Sequence, residues 1–221
     1  MTRALFLDAG GVFMFPDPDR VRAAVAPEGV AAGPGEQLRA HAVAMQAVDA
    51  ARSGEVYWEA YARALGVPQA RAAVLGRSMK GLSWSQVLEA SVSGLRSLAP
   101  VAAAIAIVSN TEGGVEEELR RNRVCQVGPG AGVPVAAVVM SSAVGVEKPD
   151  PAIFAVALRA TGSSASGTVH VGDSVYYDVE GARAAGLLPI HFDPLRLCDH
   201  ADHAHVASLV ELVPVLRQNA N

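Results

Sequence analysis

The chain of 221 residues is 51% hydrophobic and 18% charged, with a formal net charge of −4 and a pI near 5.8. That balance excludes a mainly disordered chain and argues against a nucleic-acid or anionic-membrane surface. No run of about 18 charge-free apolar residues escapes interruption by Gly, Pro or Ser, and the N-terminal stretch meets an acid at Asp8. Two cysteines, Cys125 and Cys198, cannot build a disulfide framework, so a globular cytoplasmic protein without a membrane partner is expected.

In chain order, the first apolar run is Ala4-Leu5-Phe6-Leu7, which reads as a strand buried on both faces and ends at Asp8 and the pair Gly10-Gly11. Helical patterns follow at 36–52, 56–65, 69–78 and 85–98, punctuated by Gly33-Pro34-Gly35, Gly66-Val67-Pro68 and Gly81. Further apolar runs at 103–108, 135–140, 168–171 and 187–192 alternate with helical patterns at 116–122, 152–160 and 179–185, and a Leu-rich helix closes the chain at 206–216. Strand alternating with helix predicts an α/β fold, a three-layer parallel-sheet core of the Rossmann-like kind. A parallel crossover needs only about a dozen residues, so the long stretch between the first two core strands is an insert. The expected division is a core at 1–15 and 97–221 carrying a helical cap at 16–96, placed to roof the carboxyl ends of the strands, where such sheets bind ligands.

Four polar clusters follow apolar strands directly: Asp8, Ser109-Asn110, Lys148, and Gly172-Asp173-Ser174 with Asp178. A parallel sheet gathers them on one edge. Carboxylates, a hydroxyl, backbone donors and one ammonium suit a hard divalent cation together with a phosphate. Each also has a purely structural reading. Asp8 can cap a turn, Ser109-Asn110-Thr111-Glu112 fits a helix capping box, Asp150-Pro151 fits a helix start beside a solvated Lys148, and Asp173 and Asp178 can be surface acids near a helix start.

Taken together, the residues resemble the haloacid dehalogenase-like hydrolase superfamily. Phe6-Leu7-Asp8-Ala9-Gly10-Gly11-Val12 is similar to its first motif, Ile107-Val108-Ser109-Asn110 to its second and Gly145-Val146-Glu147-Lys148-Pro149-Asp150 to its third. Val171-Gly172-Asp173-Ser174 through Asp178, then Glu180-Gly181-Ala182, resembles the fourth, and the insert lies where many members carry a helical cap. The resemblance implies Asp8 as a nucleophile forming an aspartyl-phosphate, and Mg²⁺ held by Asp8, the carbonyl of Gly10, Asp173 and Asp178, the last directly, through water or by orienting Asp173. It implies Ser109, the backbone at Asn110, and Lys148 as phosphate binders, with Lys148 also catalytic. The substrate would be a small phosphorylated metabolite and the protein a monomer or homodimer.

One position departs from the pattern. Phosphatases of this superfamily usually carry a second aspartate two residues after the nucleophile, as general acid and base, and here that residue is Gly10. Three readings follow. One is a weak phosphatase, or one borrowing an acid such as Glu55, Asp49 or His41. Another is a carbon–phosphorus hydrolase resembling phosphonoacetaldehyde hydrolase, with Lys80 forming a Schiff base. The third is a quiet binder of phosphate or a partner. True dehalogenation fits less well, because members with that activity lack the Gly-Asp pair found at Gly172-Asp173.

Away from these motifs, the segment from Cys198 to His205 holds ligand-type residues but matches no zinc spacing, and it reads as a polar turn before the last helix. His41, Met45, Val48 and Arg52 form a helical stripe read as packing, Tyr57, Trp58 and Tyr61 read mostly as cap core, and 126–132 reads as a flexible loop rather than a phosphate cradle.

Overall fold

The computed structural model describes residues 3–217. The chain divides into two compact units, one of residues 1–13 with 87–221 and one of residues 14–86, so the insert ends at Gln86 rather than near 96. The extreme ends of the expected core lie outside the described residues.

The larger unit is built on a six-stranded sheet. Its strands are β1 (Ala4–Leu7), β4 (Ile105–Ser109), β7 (Ala137–Met140), β8 (Thr168–Gly172), β9 (Leu188–Phe192) and β10 (Ala204–Val206). They run in the order β10-β9-β8-β1-β4-β7, each neighbouring pair parallel. β1 and β4 are buried at every position, as their unbroken apolar sequences require when helices cover both faces. Helices α5 (Glu89–Leu98), α6 (Val115–Arg121), α7 (Ser141–Val144), α8 (Pro151–Thr161), α9 (Gly181–Ala184) and α10 (Val213–Arg217) belong to this unit. On one side of the sheet, Ile153, Phe154 and Ala157 of α8 pack with Phe6, Ala106, Val108 and Val139. A second, two-stranded parallel sheet pairs β5 (Cys125–Val127) with β6 (Val133–Val135). The loop between them is organised by the Gln126 side chain, which donates to the carbonyl of Gly132 and accepts from its N–H.

The smaller unit holds β2 (Met14–Pro16), α1 (Pro18–Val25), α2 (Pro34–Ala51), α3 (Tyr57–Ala64), α4 (Gln69–Met79) and β3 (Trp84–Val87), whose last residue already counts with the larger unit. β2 and β3 pair across the whole insert. His41, at 4% exposure, sits among Phe15, Tyr57 and Trp84, and its Nδ1 meets the Tyr57 hydroxyl at 2.8 Å. Tyr57 and Tyr61 are also buried, with their ring centroids 5.7 Å apart.

Three sequence expectations change shape. The helix expected over 85–98 is a strand followed by a helix, because Leu88 turns the chain before Glu89 and its N–H bonds to the carbonyl of Phe13. The helix expected over 179–185 begins earlier as a wide turn, Val175–Glu180, in which the Val179 N–H reaches back five residues to Ser174. The closing helix over 206–216 is instead the end of β10, a tight turn at Leu209–Leu212 and α10.

Candidate active site

The strand ends deliver the polar clusters to one place. Asp8 follows β1 and its N–H donates to the carbonyl of Val171 on the neighbouring β8, which ties the two strand ends together. Its Oδ1 accepts from the Ala9 N–H at 2.7 Å and from Lys148 Nζ at 2.9 Å. The chain then turns through Gly11 at φ 67°, a conformation glycine adopts without steric penalty, and the Phe13 N–H closes the turn on the carbonyl of Ala9.

Lys148 is not a solvated loop residue. Its side chain is 1% exposed, and Nζ lies between Asp8 Oδ1 and Asp178 Oδ1, the latter at 2.7 Å. Asn110, just past β4, clamps the lysine backbone at two points: Oδ1 accepts from the Lys148 N–H at 2.8 Å and Nδ2 donates to the Lys148 carbonyl at 2.9 Å. The side chain of Asn110 thus positions Lys148, a part that the sequence did not reveal. Ser109, the last residue of β4, is buried. The capping box expected over 109–112 does not form, since α6 starts at Val115 behind Gly114. The Asp150-Pro151 helix start does form, with Asp150 Oδ1 accepting from the Ala152 N–H.

Asp178 is reached through Ser174, which follows β8 by two residues, caps the wide turn with Oγ on the Tyr177 N–H and donates its own N–H to Asp178 Oδ2. Asp178 Oδ1 also meets His170 Nε2 at 2.8 Å. His170 was missed in the sequence; its only signal is a polar residue inside the apolar run Thr168-Val169-His170-Val171. Burial pushes its pKa down, so the ring is neutral and Nε2–H donates to the carboxylate, while the edge of Phe154 packs against the ring. Gly172 is required here, because any Cβ would occupy the space of the Asp178 carboxylate.

Asp8, Asp173 and Asp178 present carboxylate oxygens within 4.8 Å of one another. Three carboxylates face one ammonium, an excess of negative charge. Burial, reinforced by Asp178 and Asp173 and opposed by Lys148, raises the Asp8 pKa from 3.8 to about 7. Burial also disfavours ionised Asp178, but Lys148 and His170 overcome it and hold that carboxyl well below the usual range. The same two aspartates overcome burial at Lys148 and keep it an ammonium. The donor set is all oxygen, underneutralised and preassembled, and it fits a hard divalent cation.

A family model for the haloacid dehalogenase-like hydrolases matches residues 3–186. The chain belongs to the haloacid dehalogenase-like hydrolase family. It is 43% identical over 53 residues to the glyceraldehyde 3-phosphate phosphatase of Methanopyrus kandleri, covering 24% of this chain and 23% of that one. It is 38% identical over 90 residues to the phosphoserine phosphatase of Thermus thermophilus, covering 41% and 34%. These matches therefore span about a quarter and a third of the curated relatives. Among solved structures, the fold resembles the hydrolase YfnB of Bacillus subtilis bound to magnesium, with a TM-score of 0.65 at 17% identity over 98% of this chain and 99% of that one. Among the described residues no helix is long and apolar enough to cross a membrane.

The other residues weighed as acids or bases lie in the smaller unit. Lys80 Nζ meets both carboxylate oxygens of Glu55 at 3.0 Å, an exposed ion pair, and His41 is spent on the Tyr57 hydroxyl.

Proposed function

We propose that this family member is a Mg²⁺-dependent phosphatase of a small phosphorylated metabolite, working through an aspartyl-phosphate on Asp8. The observation that carries the proposal is the cluster of Asp8, Asp173 and Asp178, two of which, Asp8 and Asp178, are buried against the Lys148 ammonium. Asp8, Asp173, the Gly10 carbonyl and Asp178, directly or through water, would hold the metal, which when bound offsets carboxylate and phosphate charge. Asp8 Oδ1 is engaged by Ala9 and Lys148, so the attack on phosphorus is assigned to Oδ2. That oxygen forms the new P–O bond as the substrate's ester oxygen leaves. Water then attacks the same phosphorus, releasing inorganic phosphate and regenerating the carboxylate. Ser109 Oγ, the backbone at Asn110, and Lys148 Nζ would donate to the phosphoryl oxygens in both displacements. The two curated relatives named as phosphatases, of glyceraldehyde 3-phosphate and of phosphoserine, support a small phosphomonoester as substrate. The unit over 14–86, inserted after β1, is taken as the cap that chooses it. A dehalogenase role is disfavoured by Asp173, an acid that would serve metal and phosphate chemistry.

Gly10 supplies no proton to the leaving group. General acid–base help contributes roughly 10²–10⁴-fold, so the wild type should be a slow phosphatase and Gly10→Asp a faster one. The test is phosphate release from p-nitrophenyl phosphate and a panel of sugar and amino-acid phosphates, with Mg²⁺ and with EDTA. Metal-dependent release that disappears in Asp8→Asn is expected. Turnover unchanged in Asp8→Asn would overturn the mechanism. Silence in wild type with activity in Gly10→Asp would instead support a phosphate-binding role.

A further inference from the structure

A second cluster of ligand-type side chains lies one strand away from the acidic one. We propose that His191, Cys198, His203 and His205 form a closed tetrahedral site for Zn²⁺. One candidate ligand atom from each lies within 4.8 Å of all the others. Sequence spacing hides the site because its ligands come from three places. His191 is on β9, His205 is its register partner on the neighbouring β10, and Cys198 and His203 lie in the connecting loop.

Each imidazole is already oriented by an oxygen on its far side. His191 Nε2 meets the main-chain carbonyl of Asp173 at 3.1 Å, leaving Nδ1 buried and without a hydrogen bond. His203 Nδ1 meets Asp202 Oδ1 at 2.9 Å, leaving Nε2 at 4.0 Å from Cys198 Sγ. His205 Nε2 meets the His200 carbonyl at 2.8 Å, leaving Nδ1, which lies 4.0 Å from Asp193 Oδ2. One nitrogen tied to a carbonyl or carboxylate and the other left for metal is the arrangement that fixes the tautomer of metal-bound histidine. The rings crowd accordingly, with centroids 4.5–5.4 Å apart.

The loop is shaped for this purpose. β9 and β10 are parallel, yet residues 193–203 connect them without a helix, where a crossover of this kind usually needs one. The buried Asp193 carboxylate gathers the Leu197 and Cys198 N–H groups at 3.0 and 2.9 Å, which presents the Cys198 side chain to the histidines. Zn–N bonds near 2.1 Å and a Zn–S bond near 2.3 Å place tetrahedral ligand atoms roughly 3.3–3.7 Å apart. Closure thus requires a contraction of no more than about 1.5 Å at any edge, and of about 0.4 Å between Cys198 and His203. Three nitrogens and a thiolate select zinc over Mg²⁺, and four protein ligands leave no open position, which makes the site structural. Through the His191–Asp173 hydrogen bond, it would steady the loop that carries the acidic cluster.

The test uses untagged full-length protein, stripped of metal and titrated with Co²⁺. The expected result is an intense tetrahedral visible spectrum and a thiolate-to-cobalt charge-transfer band that saturate at one equivalent, displaced by Zn²⁺ but not by excess Mg²⁺. Cys198→Ser should abolish the charge-transfer band. Asp202→Asn, which leaves every ligand in place, should weaken affinity by about 10–100-fold. Asp8→Asn should change neither. Absence of the stoichiometric band from folded wild type, or its persistence in Cys198→Ser, overturns the proposal. So does a spectrum lost in Asp8→Asn, which would place the metal at the acidic cluster. Circular dichroism of each metal-free variant separates lost ligation from lost fold, and His205→Gln gives a second ligand deletion should Cys198→Ser fail to fold.

Discussion

Lys148→Met isolates what the buried ammonium does for the fold. Methionine keeps most of the hydrophobic stem and removes the charge that sits 2.7 Å from Asp178 and 2.9 Å from Asp8. Removing one partner of a buried ion pair costs about 3–5 kcal/mol, because the remaining charge stays desolvated and unpaired. For a chain of this size that is a fall in melting temperature of roughly 6–20 °C. The loss should depend on pH. In wild type the Asp178 pKa is below its ordinary 3.8, so its contribution is intact above that value and is lost only as pH falls. In the variant neither Asp8 nor Asp178 has a cationic neighbour, and burial raises both. The folded state then holds more protons than the unfolded chain, and stability falls as pH rises from about 4 upward. The difference between wild type and variant should therefore widen between about pH 4.5 and about pH 8, measured by thermal unfolding in EDTA. A shift of the same size at both pH values would show that Lys148 acts by packing, and would refute the electrostatic account.

Asp8→Asn should stabilise the metal-free protein at about pH 8 by up to about 4 kcal/mol. The wild-type carboxyl titrates near 7 in the fold against 3.8 unfolded, so its penalty grows with pH across that window and vanishes below it, which melting curves at both ends will show. Gly172→Ala should cost several kcal/mol and lower activity together, since the methyl would take the place of the Asp178 carboxylate that Lys148, His170 and Ser174 hold; unchanged melting would refute the fit. Gly76→Ala should destabilise the smaller unit by about 1–3 kcal/mol, because its Cβ would lie 2.7 Å from the backbone nitrogen of Glu59 where α4 crosses α3; limited proteolysis within 14–86 is the readout.

The strands β1 and β4 were legible because burial on both faces leaves a nearly continuous apolar run, and the polar residues Asp8 and Ser109 at their ends are brought to one edge by the parallel sheet. What the sequence concealed depends on partners far away in the chain. Trp84-Ser85-Gln86-Val87 is a strand only because Met14–Pro16 pairs with it, and nothing local opposes reading it into the helix that follows. α1 went unread although Asp17 and Pro18 give a proper start, with Asp17 Oδ1 accepting from the N–H groups of Asp19 and Arg20. Only Val21 and Val25 are apolar and buried, too short a stripe to register among charges. Asn110 was read for its backbone, and its side-chain grip on Lys148 spans 38 residues. His191 and His205 stand side by side through strand register, which spacing along the chain does not encode.

The wide turn after β8 shows how the remaining site depends on a local departure from regular structure. Gly172 ends the strand, Ser174 caps the turn, and both the Asp178 and Val179 N–H groups converge on the Ser174 carbonyl. That extra breadth folds Asp178 back against Gly172, within reach of the Lys148 ammonium and the His170 ring. Wide turns of this type recur at functional sites because the inserted residue re-aims a side chain without ending the helix. Here the re-aimed group is the carboxylate that holds Lys148 beside Asp8. Asp173, on the strand side of the same turn, contributes a carboxylate to the acidic cluster with its side chain and accepts from His191 with its main chain. A metal in the Cys–His cluster would therefore be linked to one in the acidic cluster through the hydrogen bond between His191 and Asp173. Occupancy of the first should reduce the freedom of the second without altering its ligands.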